Sequence, residues 1–132
     1  MSEPVHRQPF EVRDYECDMQ GVVNNAVYQQ YLEHSRHEFL KTLGLDFAAL
    51  ARDRVNLVVV RVELDYRRSL VSGDCFTVLT RMERISKLRF AFRQQIVRDS
   101  DGVVILKGLV TGTALNERNR PFLPPELAAV LT

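Results

Sequence analysis

Between residues 14 and 40 the sequence reads "DYECDMQGVVNNAVYQQYLEHSRHEFL", a run that opens like a strand and ends like a helix, with polar residues crowded at the junction. Asp18 stands a short way ahead of Gly21, Val23, Asn24 and Asn25, where a helical stripe begins. The first amides of a helix have no intrahelical acceptor, and their aligned dipoles leave partial positive charge there, so this end suits an oxyanion. Gly21 lets backbone approach a ligand closely, and Asn24 or Asn25 can cap the first turn. Two readings of Asp18 follow. It is a helix-capping group, or it faces a carbonyl carbon whose oxygen is held by N–H groups around Val23 to Asn25.

Other residues in the run have plainer explanations. Side chains of neighbouring strand residues point to opposite faces, so Cys17 turns away if Asp18 faces a site, and no activating base stands beside the thiol. Glu16 shares the face of Asp18 if the strand is regular. Glu33, His34, Arg36, His37 and Glu38 read as a charged helix face or interface. His34 and His37 share a helical spacing but lack a third metal ligand. Arg67 with Arg68, and Arg84 with Lys87 and Arg89, form two local basic clusters, suited to phosphate or to keeping a strand edge from aggregating.

The elements that must position these groups are marked by period. Tyr28, Tyr31, Leu32, Phe39 and Leu43 predict a helix over 26–43, and Gly44 after Lys41 and Leu43 marks its left-handed stop. Residues 8–16 read as a half-exposed strand ended by Gly21, and 47–50 as a short helix. Segments 55–66, 76–85, 88–97 and 103–115 are β-rich and separated by turn residues; Val58, Val60, Val62 and Leu64 alternate onto one face. Pro124 and Pro125 begin a short C-terminal helix. The order is strand, long helix, four strands: an α+β chain with a five-stranded antiparallel sheet. One helix covers only part of such a sheet, so a dimer is expected.

Composition narrows the partners. At 132 residues and 45% hydrophobic, the chain suits one domain over 1–132. A net charge of +1 argues against nucleic acid or an anionic membrane as the main partner. Cys17 and Cys75 have no disulfide or zinc spacing, the first residues form no signal-like apolar segment, and the apolar runs, such as Leu57 to Val60, are far too short to cross a bilayer. A cytoplasmic, unexported protein is expected.

The same run resembles the start of the hotdog-fold thioesterases of the 4-hydroxybenzoyl-CoA thioesterase type. "VRDYE", "GVVNNAVY" and "RHEFL" are closer still to the plant acyl-carrier-protein thioesterases that release fatty and 3-keto fatty acids, and "SGD" at 72–74 fits them as well. The resemblance implies a hotdog fold, a long central helix wrapped by the sheet, and hydrolysis of fatty acyl, 3-ketoacyl or aryl thioesters of CoA or acyl carrier protein. It implies Asp18 as catalytic carboxylate, either nucleophile or general base, and Asn25 N–H as oxyanion donor with Val23 and Asn24 beside it. Gly21 and Tyr28 would contact substrate, while Ser86, Lys87 and Arg89 from a partner chain would hold the nucleotide end of CoA. Glu33, the base in a different branch, and Glu16 stand in reserve. A homodimer or homotetramer without metal or redox cofactor is implied. Several relatives carry histidine where this chain has Asn25, so that assistance is missing here. Two rivals remain at this level: a hotdog hydratase or dehydratase, and a protein that binds acyl thioesters without cleaving them.

Overall fold

A computed structural model describes residues 5–45 and 47–131, and in it the helical stripe becomes α1, Asn25–Thr42. Ahead of it lies β1 (His6–Glu11); behind it follow α2 (Phe47–Arg52), β2 (Asn56–Tyr66), β3 (Cys75–Arg84), β4 (Arg89–Arg98), β5 (Val104–Leu115), β6 (Pro121–Phe122) and α3 (Pro125–Ala128). Gly44 takes φ of 79° at the end of α1, as a left-handed stop requires. The first four residues of the segment read above as lacking a signal sequence lie outside the described residues.

The strands form one antiparallel sheet in the order β1-β3-β4-β5-β2, with β6 pairing β5. Laid on one face of it, α1 completes the hotdog arrangement that the resemblance implies. Six strands replace the expected five because Pro121 and Phe122 pair Leu115 and Ala114, beyond the last β4 partner at Thr113. A two-residue strand leaves no alternation to read.

Two more departures have local causes. The first strand was expected to reach residue 16, but it ends at Glu11, and Asp14–Glu16 winds a 3-10 turn closed by Glu16 Oε1, which accepts from the Arg13 N–H at 2.8 Å. In β2 the register against β5 shifts between Val59 and Arg61, so Val60 is a bulge. Leu57 and Val59, opposite Ala114 and Gly112, therefore share the inner face with Val62, Leu64 and Tyr66. The expected grouping of Val58 and Val60 with Val62 fails there.

The buried side of α1 divides the core in two. Tyr28, Tyr31 and Leu32 pack with Val12, Leu70, Phe76, Val78, Ile96 and Leu106; Phe39 and Leu40 pack with Met82, Phe90, Phe92 and Val110. Each such side chain contributes roughly 1.5–3 kcal/mol on burial. Between the halves lies a polar layer, where Gln94 Nε2 donates to Leu32 O and Thr80 Oγ1, and the buried Arg36 donates to Gln94 Oε1. Gly108 permits the close approach here, since a Cβ would lie 2.9 Å from Leu64 and 3.6 Å from Leu32.

Tyr31 ties the helix to the 3-10 turn, its hydroxyl donating to Glu16 Oε1 at 2.8 Å. Burial, and then that bond, push the phenol far above its ordinary value of 10.0. The folded chain thus keeps a proton that the unfolded chain loses above about pH 10, so this stabilisation is complete below pH 10 and drains away as pH rises beyond it. Tyr31→Phe is expected to cost about 1 kcal/mol at neutral pH and to flatten the alkaline decline. Urea unfolding at about pH 8 and about pH 11 checks this; equal alkaline losses in both proteins would contradict it.

Candidate active site

After the 3-10 turn the chain makes a tight hairpin. Cys17 bridges Val23, the Asp18 N–H donates to Val22 O at 2.8 Å, and the Gly21 N–H donates to Asp18 O at 3.0 Å. Asp at the first position and a left-handed glycine at the fourth suit this turn, and Gly21 has φ of 80°. That explains Gly21 differently from the expectation of close ligand approach: a Cβ there would meet nothing within 4 Å, so the turn needs the glycine. The turn also fixes Asp18, whose Oδ1 accepts from the Gln20 N–H at 2.8 Å. Oδ2 has no hydrogen bond among the described residues.

Asp18 is exposed at the rim of a cleft of about 320 Å³ that Asn24, Asn25, Tyr28, Tyr66 and Arg68 also line. Asn24 is the helix cap, its side chain accepting from the Ala26 N–H at 2.9 Å. The capping reading of Asp18 is thereby set aside.

An account of the amides narrows the donors. Val23 N–H donates to Leu70 O at 2.9 Å and Asn24 N–H to Glu16 O at 3.0 Å, so neither is free for an oxyanion, contrary to the expectation for them. They wall the cleft instead. Asn25 N–H opens the helix without an acceptor among the described residues, where the helix dipole is positive.

Tyr28 backs the cleft. Its buried hydroxyl accepts from the Leu70 N–H at 3.0 Å, and its ring meets Tyr66 edge-on at 5.6 Å. Burial pushes both phenols up, so both are protonated at neutral pH. Tyr66 and Ser69, which the sequence reading missed, join Arg68 at the end of β2. Alternation puts Tyr66 on the face of Val62 and Leu64, but only the tertiary path shows that this face ends at Asp18.

The remaining candidates lie elsewhere. Glu16 does not share the face of Asp18, because the 3-10 turn replaces the regular strand and ties its carboxylate to Tyr31 and to Arg13 N–H. Glu33 lines a separate groove with Arg36 and Val62, about 12 Å further along α1 than Asn25. Ser86 and Lys87 sit in the β3–β4 turn, and Arg89 opens β4 beside it, at the opposite end of the sheet: Arg89 pairs Thr113, which pairs Val58, roughly 26 Å along β2 from Tyr66. Cys17 is half-buried against the core, and no metal-binding cluster occurs among the described residues.

A carboxylate with a free oxygen and an unsatisfied helix amide on the walls of one cleft are groups suited to chemistry at an acyl carbon. Comparison with known proteins points the same way. A family model described as the thioesterase-like superfamily matches residues 12–131. The chain is 37% identical over 120 residues to acyl-acyl carrier protein thioesterase ATL2 of Arabidopsis thaliana, over 91% of this chain and 64% of that protein. It thus spans less than two thirds of the length of that relative. It is 27% identical over 117 residues to the long-chain acyl-CoA thioesterase FadM of Escherichia coli, over 89% of this chain and 88% of that one. Among solved structures, Slr0204, a 1,4-dihydroxy-2-naphthoyl-CoA thioesterase from Synechocystis, superposes with a TM-score of 0.91 over 97% of this chain and 96% of its own, at 15% identity. At that identity the likeness is one of fold.

Proposed function

The chain belongs to the thioesterase-like superfamily, and from that premise we propose that it hydrolyses fatty acyl, 3-ketoacyl or aryl thioesters of CoA or of an acyl carrier protein, with Asp18 as the catalytic carboxylate. The observation that supports this most is the meeting of the free Asp18 oxygen and the unsatisfied Asn25 N–H in one cleft.

The thioester carbonyl oxygen lies against the Asn25 N–H, where charge developing on it is met by a fixed dipole. Asp18 then follows one of two routes. As general base it takes a proton from water, whose oxygen bonds to the acyl carbon; the tetrahedral intermediate expels the sulfur, and the proton passes to the thiolate. As nucleophile its oxygen bonds to the acyl carbon, the thiolate leaves, and water cleaves the resulting anhydride to restore the carboxylate. Either route uses water, a carboxylate and an amide, with no metal or redox step. Arg68 at the cleft wall supplies a positive charge for the phosphate of a pantetheine arm.

The active unit is a homodimer of single hotdog domains. β2 is an edge strand, and on it Val59, Val60 and Val62 are 50%, 44% and 41% exposed, an apolar edge that an isolated chain keeps only at the risk of aggregation. A two-fold axis through the middle of β2 pairs it with its own copy and reverses the strand direction. The partner's β3–β4 turn, with Ser86, Lys87 and Arg89, then comes to the end of the sheet where Asp18 lies. No helix among the described residues is long and apolar enough to cross a membrane.

Purified protein offered a panel of acyl-CoA and acyl-carrier thioesters should release free thiol catalytically. Saturable binding without thiol release would leave a thioester-binding protein, and water addition to an enoyl thioester would make it a hydratase.

A further inference from the structure

The outer face of the sheet, turned away from α1, holds a hollow of about 410 Å³ that the reaction above does not use. Its walls carry Arg7 of β1, Arg81 of β3, Arg93 of β4 and Lys107 of β5, with the half-buried Leu79 among them. These residues are cross-strand neighbours, Arg7 opposite Leu79, Arg81 opposite Arg93, and Gln95 opposite both Leu79 and Lys107, and they alternate with the buried Thr80, Gln94 and Leu106.

Charge is spent unusually here. In a chain of net charge +1, this one hollow gathers four cations, of which Arg93 alone has an ion pair, with Glu83 at 2.7 Å; Arg7, Arg81 and Lys107 have none among the described residues. Arg81 and Arg93 stand directly opposite each other, and like charges in that position destabilise a sheet. Arg61 and Arg67, on β2 and just beyond its end, are paired instead, with Glu63 and Asp65, each at 3.0 Å. With Glu83 on Arg93 and Asp65 opposite Lys107 but already bonded to Arg67, positive charge stays in excess over the hollow and suits an anionic partner.

The shape limits which one. A second copy is unsuitable, since a two-fold axis on this face would set the cations against themselves. A nucleic-acid duplex is served by more phosphate contacts than so few cations offer, and no aromatic ring lines the hollow for stacking. The four strands β1, β3, β4 and β5 span roughly 14 Å from side to side, room for one helix about 10–12 Å wide lying along them, with Leu79 to receive an apolar side chain.

We infer that this hollow docks an acidic helical face of the carrier protein that delivers the acyl thioester, with Arg7, Arg81 and Lys107 meeting its carboxylates. The inference rests on the hydrolase reading and deepens it. Lys107 pairs Asp65, the residue before Tyr66, and Tyr66 turns to the other side of the sheet into the Asp18 cleft. Lys107 is also roughly 10 Å from the start of β5, so the carrier's arm has only to round the strand ends to reach the cleft.

The test compares one acyl group on holo carrier protein and on CoA, for wild type and for the Arg81→Glu/Lys107→Glu variant. Docking predicts a loss of at least about tenfold in kcat/KM for the carrier-borne substrate, carried by KM and mimicked in wild type by salt, with the CoA ester changed less than about twofold. Equal losses on both substrates, which would make the hollow a CoA phosphate site or a stability element, or no loss on either, overturn the proposal. The Arg81→Gln/Lys107→Gln variant, which adds no new charge, should show a smaller loss of the same kind and guards against misfolding. Should wild type cleave neither substrate, the hydrolase reading fails by itself. Calorimetric titration of holo carrier protein into wild type and variant then decides the docking: weaker binding to the variant supports it, and equal binding or none to wild type overturns it.

Discussion

Asp18→Asn should leave the chain folded and lower kcat/KM for a preferred thioester by about 10³-fold, within the range that a general base or nucleophile contributes. The substitution is nearly isosteric, and its amide oxygen can still accept from the Gln20 N–H, so the Asp18–Gly21 turn is kept. An amide cannot take a proton from water or add to an acyl carbon, so the loss should lie in kcat. Asp18 is exposed, which makes the stability cost small. Glu33→Gln, on the separate groove, should change turnover by less than about threefold. Thiol-release kinetics on the two variants, with thermal melts as control, check the assignment; the reverse ranking would move the base to the helix.

Val62→Lys should split the dimer and lower kcat/KM by about 10²-fold with Asp18 untouched. Val62 lies on the inner face of β2, 41% exposed, lining the same groove as the buried Arg36. A second cation here meets Arg36 and its symmetry mate in the proposed interface, and lysine is a residue with which natural edge strands refuse partners. In the monomer the turn bearing Ser86, Lys87 and Arg89 is roughly 26 Å from the cleft, so substrate loses its second anchor. Sedimentation and thiol release on one preparation test this. A monomer with full activity would remove the partner's turn from the account, and an intact dimer would move the interface off β2.

What the sequence disclosed tracks how local the cause is. α1 was legible because its stripe, its cap residue and its glycine stop lie within one continuous segment, and the four main strands because their β-rich runs stand between clear turns. The 3-10 turn at Asp14–Glu16 was hidden because Tyr15 and Glu16 suit a strand as well as a turn, and the side chain of Glu16 decided the matter through Arg13 N–H and Tyr31. The bulge at Val60 leaves no mark in a run of valines. Nor could spacing reveal that Val23 and Asn24 spend their amides on Leu70 and Glu16, since those acceptors are set by tertiary pairing. The cleft was thus half legible, as Asp18 and Asn25 in sequence order, while Tyr66, Ser69 and Arg68 reach it through the fold.

The most direct test of the account is a structure of the protein with a non-hydrolysable acyl-CoA analogue, in which a methylene replaces the scissile sulfur and the acyl carbonyl is kept as a ketone. The account predicts the acyl oxygen at about 2.7–3.1 Å from the Asn25 nitrogen, with an Asp18 carboxylate oxygen, or one water held by it, facing the acyl carbon. An acyl group seated beside Glu33, or one whose carbonyl turns away from the start of α1, would contradict it.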